Sequence, residues 1–248
     1  MSKVPAVAVI FTQPQCNMYC TFCITEDSFD CMTPEQGLDL LSYLKTLGVK
    51  TLVIGGGEPF FWPYDLLALT RTAKEMGFVV QVGTNAVALP EGYEKAESID
   101  RFILPLESVE SGPHNDLRRY ENRHHEIIMD CLETLGRAGK SATISTVVTA
   151  VNKDHVVDVG RWLGEYHEKY SNIHAWHIYQ FIPEGRGGSP NAANLEPRQG
   201  IYEEVIREAF LLNLPFRVYR RSNMYHSQAV EFYWFEKGRI VSTADTSA

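Results

Sequence analysis

Cysteine is scarce in this chain, five among 248 residues, and the few present form no even-numbered, regularly spaced set. A disulfide framework is therefore excluded. With no secretory pattern in the opening residues, a reducing, cytoplasmic setting is expected. No second paired Cys or Cys/His motif follows the first group, as a zinc ribbon would require, and nothing after Cys131 is cysteine. That counts against a C-terminal region carrying further metal clusters. No apolar run approaches the roughly 20 residues that a membrane-crossing helix needs. Positive charge is in deficit, with 23 Lys and Arg against 31 Asp and Glu and a net −8, so the basic stripe of a nucleic-acid binder is missing. Solenoid-type repeats and low-complexity tracts are absent as well. What remains is a chain with 44% hydrophobic residues, enough to bury one substantial core without calling for a second domain.

Three of the five cysteines fall within one short run, Cys16-Asn17-Met18-Tyr19-Cys20-Thr21-Phe22-Cys23. Soft thiolates so spaced suit one iron–sulfur cluster, and with no fourth cysteine one iron is left open to bind something else. Phe22, just before the third cysteine, is placed to shield one face of such a cluster from water. The competing reading is a structural zinc site, which lacks a fourth ligand here. Cys31 and Cys131 stand alone. Cys131 shares an apolar stripe with Ile127, Ile128, Leu132 and Leu135 and is expected in the core.

Strand-like and helix-like patterns alternate along the chain, which predicts parallel βαβ units and an α/β fold. Residues 6–11 read as the first strand, and the cysteines follow in its loop. Thr33 as N-cap and Pro34 at the first helical position start a helix that carries Leu38, Leu41, Leu44 and Leu47 at helical spacing. Further helices are expected over 66–76, 124–138, 156–170 and 203–212, and strands over 51–54, 142–149 and 175–182. The glycine-rich stretch 181–197 reads as a long loop. After the last helix, Phe216 to Tyr219 suggests a strand, and Glu231 to Val241 a hairpin turning at Glu236-Lys237-Gly238. The last residues are small, polar and expected to fray.

The spacing C-x3-C-x2-C resembles the signature of the radical S-adenosylmethionine (radical SAM) superfamily. A second feature follows in the expected order. The apolar run Thr51-Leu52-Val53-Ile54 leads into Gly55-Gly56-Gly57-Glu58-Pro59, similar to the family's GGEP motif. Val79 to Ala86 resembles the third strand, which often ends in Thr-Asn-Gly, with Ala86 here in place of the glycine. Leu104-Pro105-Leu106-Glu107-Ser108 stands where a Ser-Leu-Asp-Gly type sequence is common, with Pro105 replacing a serine. His114-Asn115-Asp116-Leu117-Arg118 is the nearest match to the usual His-Asp-x-Leu-Arg, and Phe181 to Gly187 resembles the end of the sixth strand. The likeness spans about residues 7–190, most specific in its first third.

This resemblance implies a partial (β/α)6 TIM-type barrel over residues 1–190, with 191–248 as a short C-terminal helix, strand and hairpin extension packing on it within the same domain. It implies that Cys16, Cys20 and Cys23 hold a [4Fe–4S] cluster. It further implies that Gly56, Gly57, Glu58 and Pro59, with Asn85, Glu107, Arg118 and the backbone near Ile182, bind SAM. The activity so implied is reductive cleavage of SAM to methionine and a 5′-deoxyadenosyl radical that abstracts hydrogen from substrate, fed by an electron donor such as flavodoxin or ferredoxin.

Family membership does not name the substrate. The favoured expectation is a small polar metabolite, nucleotide- or sugar-like, in cofactor or natural-product biosynthesis. The alternatives are modification of a peptide, or a non-catalytic iron–sulfur or zinc protein. The run Arg220-Arg221-Ser222-Asn223-Met224-Tyr225-His226-Ser227 bears a faint likeness to the tail of viperin-type nucleotide dehydratases. Arg220, Arg221 and Asn223 are accordingly the candidate substrate contacts, with the tail expected to close the barrel mouth.

Overall fold

In residues 7–11 and 51–55 every second residue is wholly buried and its neighbours only half so. The computed structural model, which describes residues 5–222 and 229–246, shows the cause. β1 (Val7–Phe11), reached first, buries Ala8 and Ile10 completely under the helices, while Val7, Val9 and Phe11 face a hollow interior. A two-residue strand, β2 (Tyr19–Cys20), follows, and then α1 (Pro34–Leu47). Thr33 and Gln36 close a capping box at the start of α1, and Gly48 ends it in the left-handed conformation, as the sequence predicts.

The βα alternation then continues through β3 (Thr51–Gly55), α2 (Leu66–Glu75), β4 (Val79–Gly83), β5 (Arg101–Pro105) and a short α3 (Ser111–Leu117). After the two-residue β6 (Arg118–Arg119) come α4 (His124–Arg137), β7 (Ala142–Val148), α5 (Val156–Tyr170) and β8 (Ile173–Gln180). Then come α6 (Gly185–Leu195), α7 (Ile201–Leu211), β9 (Arg217–Arg221), the hairpin β10 (Val230–Glu236) and β11 (Arg239–Ser242), and a single helical turn α8 (Thr243–Thr246).

One sheet runs in the order β11-β10-β1-β3-β4-β5-β7-β8-β9. Its six central strands are parallel neighbours, the arc of a partial TIM barrel that stays unclosed. The tail adds a strand to each end of this arc. β9 pairs in parallel with β8, β10 pairs in parallel with β1, and β11 forms the only antiparallel pairing in the described part of this sheet. The core lies between the outer face of the sheet and the helices. There Leu40, Leu44, Ile54, Phe102, Leu132 and Trp176 are fully enclosed. Cys131 is in this core, as its stripe predicts. Among the described residues no helix is long and apolar enough to cross a membrane.

Two features correct the sequence reading. The stretch 181–197 is not one long loop, because Gly185–Leu195 is helical with Pro190 inside it. Its glycines and proline hide a helix whose first turn is held by tertiary hydrogen bonds, Gly187 and Gly188 N–H both donating to the Cys23 carbonyl at 2.9 and 3.2 Å. The expected division at residue 190 therefore falls inside α6, and the tail's strands continue the core's own sheet. β2 and β6, a two-stranded sheet of their own, carry too few residues to show a period in sequence.

Candidate active site

The C-terminal ends of parallel barrel strands open onto one face, where loops from different strands meet. Here the cysteine loop leaves β1 and is clamped from two sides. On one side lies the glycine turn after β3: Gly57 N–H donates to Gln13 O at 2.7 Å, and Glu58 N–H to Gln15 O at 3.0 Å. A β-carbon on Gly57 would sit 1.9 Å from the Gln15 carbonyl oxygen, and Gly56 takes φ +115°. Only glycine permits this approach. On the other side lies the first turn of α6. A β-carbon on Gly187 would come 2.3 Å from Cys20 O, while Arg186 donates to Pro14 O at 2.6 Å and pairs with Asp27 at 3.0 Å.

So clamped, Cys16, Cys20 and Cys23 all line one cavity of about 620 Å³ that runs down the inside of the barrel. β2 and β6 set Cys20 opposite Arg118, whose Nη1 lies 3.7 Å from the Cys20 sulfur. The Arg118 guanidinium also covers the buried Phe22 ring at 4.8 Å. Burial pushes the Cys20 thiol up to about 12, opposed by Arg118, and raises the Cys16 thiol as well. A metal binding there must displace these protons.

Glu58 is 1% exposed. One of its carboxylate oxygens accepts from the Thr84 hydroxyl at 2.7 Å and Phe60 N–H at 3.0 Å, the other from Asn85 N–H at 2.7 Å. Burial nonetheless raises Glu58 to about 7. Asn85 reaches back toward the cysteine loop, its Nδ2 donating to Asn17 Oδ1 at 2.7 Å and standing 3.5 Å from the Cys16 sulfur. Ala86, where the family has glycine, takes φ +63°, the left-handed region that glycine fills without strain.

Gly56, Gly57, Glu58, Asn85, Arg118 and Ile182 all line the cavity with the cysteines. Pro59 is buried and starts a short turn, Pro59–Phe61. Glu107 is fully buried and stands behind Arg118, accepting its guanidinium at 2.7 Å and Val147 N–H at 2.8 Å. Burial opposes the Arg118 charge, but Glu107 and the Cys20 thiol hold it positive. Arg221 faces the cavity. Arg220 turns its guanidinium outward onto Glu203 of α7 at 2.6 Å, and Asn223 lies outside the described residues. Cys31 and Cys131 pack with the hydrophobic core.

Sequence reasoning missed a pair of buried histidines. Glu107 N–H donates to His114 Nδ1 at 3.2 Å, so the His114 proton is on Nε2 and goes to His124 Nδ1 at 2.8 Å. The His124 proton then goes from Nε2 to Asn85 O at 2.9 Å. Burial drives His114 down to about 2 and His124 to about 3. The neutral relay ties the end of β4 to the loop after β5. His114 had a signal, as the first residue of the motif that ends at Arg118; His124 had none.

A sequence model of the radical SAM superfamily matches residues 10–163. The chain belongs to the radical SAM superfamily. Members of this superfamily use a [4Fe–4S] cluster and SAM. Among its relatives, an S-adenosylmethionine-dependent nucleotide dehydratase of Thermoplasmatales archaeon (strain ISO4-H5) is 25% identical over 147 residues, 58% of this chain and 52% of that one. A Pyrococcus horikoshii protein named "Probable GTP 3',8-cyclase" is 25% identical over 156 residues, 61% of this chain and 50% of its own. The chain thus spans about half the length of the curated relatives it matches. In fold, Streptococcus suis SuiB bound to S-adenosylmethionine superposes with a TM-score of 0.70 at 16% identity, covering 89% of this chain and 51% of that one.

The radical SAM cofactors fit the donors present. Three soft thiols and no hard ligand set surround the upper cavity, beside a carboxylate, an amide and a guanidinium suited to an amino acid's two charged ends. Among the described residues no three His, Cys, Asp or Glu side chains converge closely enough to hold one metal ion.

Proposed function

We propose that this protein is a radical SAM enzyme acting on a small polar metabolite, nucleotide- or sugar-like, in cofactor or natural-product biosynthesis. The observation that carries the reading is that the three cysteines, the Gly56–Glu58 turn, Asn85 and Arg118 line one cavity, which continues into a barrel interior where Gln81, Ser145, His177 and Tyr179 stand among apolar side chains. The relatives named for reactions of a nucleotide and of GTP favour the nucleotide side.

In this reading Cys16, Cys20 and Cys23 would ligate the cluster, and an external one-electron donor such as flavodoxin or ferredoxin would supply its electron. When bound, the cluster and SAM supply the hydrogen-abstracting 5′-deoxyadenosyl radical. The chain's own residues orient and shield. Glu58, with Gly56 and Gly57, would hold the SAM amino group, while Arg118, braced by Glu107, would hold its carboxylate. Asn85 holds the cysteine loop and the ligand together, and the backbone at Ile182 borders the adenine. The six-strand arc with its added end strands keeps water and stray hydrogen donors from the reacting carbon.

Turnover of SAM to 5′-deoxyadenosine with dithionite tests the substrate class. Severalfold stimulation by a nucleotide or sugar derivative is expected. Stimulation by peptides alone would contradict the reading.

A further inference from the structure

Below the cysteine loop the cavity has a charge opposite to that of the chain. The protein carries a net −8, yet the described residues around the cavity include five arginines and two histidines against a single carboxylate, Glu58. Three of those arginines are matched elsewhere: Arg118 by Glu107, Arg186 by Asp27 and Arg220 by Glu203. Arg101, at the start of β5, and Arg221, at the end of β9, have no carboxylate in ion-pair contact among the described residues. Arg101 donates through Nε to Ser141 Oγ at 3.1 Å, and its terminal nitrogens have no acceptor among the described residues.

Both guanidinium groups line the same cavity, and the charges of both act on His177. Strand register sets His177 beside Tyr219 and Tyr179 beside Arg221. The Arg221 guanidinium lies 4.9 Å from the Tyr219 ring centre, the His177 and Tyr219 rings meet edge to face at 5.0 Å, and His177 Nδ1 is 3.4 Å from the Tyr179 hydroxyl. Burial, then the charges of Arg221, His174 and Arg101, hold His177 neutral, down to about 3. Asp100, which pairs with Lys74, also acts on Arg101, but positive groups gathered inside a barrel with so little acid beside them are unfavourable unless an anion completes the set.

We propose that this inner patch binds a phosphate group of the substrate, held by Arg101 and Arg221 with Tyr179, His177 and Tyr219, so that the hydrogen donor is a phosphorylated metabolite. This rests on the radical SAM reading above and narrows its substrate class. Two forked guanidinium groups with phenol and imidazole donors offer more hydrogen bonds than the two oxygens of a carboxylate accept, while a phosphate's oxygens take them all. With its anion at the patch, the substrate's carbon framework points up the barrel toward the cysteine loop.

Calorimetric titration of the full chain with inorganic pyrophosphate tests the site, with malonate as a carboxylate dianion for comparison. Saturable pyrophosphate binding is expected, at least tenfold tighter than malonate. Arg101→Gln and Arg221→Gln should each weaken it at least tenfold. Arg220→Gln, whose guanidinium faces Glu203, should leave it unchanged. Should either glutamine variant fail to fold, Arg101→Lys and Arg221→Lys, with the pyrophosphate-induced rise in melting temperature of the wild type, decide in its place. No binding to wild type, binding that survives loss of both arginines, or malonate binding as tightly would overturn the proposal. Iron content and SAM cleavage measured on the same preparations separate the two readings. Their loss with pyrophosphate binding intact strikes the radical SAM assignment and leaves the anion site standing.

Discussion

Glu58 and Gly57 are adjacent in sequence and do different work. Glu58 presents a buried carboxylate to the cavity, whereas Gly57 presses its backbone against Gln15 in the cysteine loop. Glu58→Gln should therefore weaken SAM binding about tenfold, the scale of one charge-assisted contact, while iron content stays at the wild-type level. Gly57→Ala should lose iron as well, because its β-carbon cannot share space with the Gln15 carbonyl. Titration with SAM and iron analysis on both variants check this, and equal iron loss in both would remove the distinction. The histidine relay makes a prediction of the opposite kind, visible in stability. His124 is held neutral with a folded value near 3, below its unfolded value of about 6.5. The stability it contributes is present above about pH 6.5 and is lost as pH falls toward 3, at about 1.4 kcal/mol per pH unit. Urea unfolding at pH 7.5 and 5.5 should show the advantage of wild type over His124→Gln shrinking by about that amount. An advantage unchanged by pH would mean that the imidazole is not neutral.

The first turn of α6 is the element on which the cysteine loop rests. Gly187→Ala places a β-carbon 2.3 Å from Cys20 O and 2.6 Å from Cys23 N, so the loop must move. Iron retention after anaerobic reconstitution should fall at least severalfold, with the circular dichroism of the fold preserved; full iron retention would show that α6 is a passive neighbour. Nothing in the composition of Gly185 to Leu195 announces this helix, since three glycines and a proline read as loop and the stabilising contacts are long-range. The alternating units, by contrast, were legible because each strand places an apolar residue under the helices at every second position, as with Leu52 and Ile54. The cysteines, Gly56 to Glu58 and Asn85 were legible from spacing and motif. The roles of Arg220 and Arg221 were not, because they depend on the register of β9, which turns one guanidinium to Glu203 and the other into the barrel. Polar Gln81, His177 and Tyr179, at every second position of otherwise apolar strands, were the unused sign of a polar interior.

At the scale of the molecule, the tail is part of the barrel wall. β9 and β10 extend opposite ends of the six-strand arc, and Tyr233 and Phe235 of β10 are buried in the core. Deleting residues 217–248 would thus uncover core as well as remove Arg221, so single substitutions probe the substrate side more cleanly. The most direct measurement is iron, sulfide and 5′-deoxyadenosine on anaerobically reconstituted protein, wild type beside each Cys→Ala variant. The expected result is about four iron and four sulfide per chain with SAM cleaved under dithionite. Both should be lost in Cys16→Ala, Cys20→Ala and Cys23→Ala and kept in Cys31→Ala and Cys131→Ala. A single tightly held zinc, no cleavage of SAM, or iron lost on changing Cys31 would contradict it.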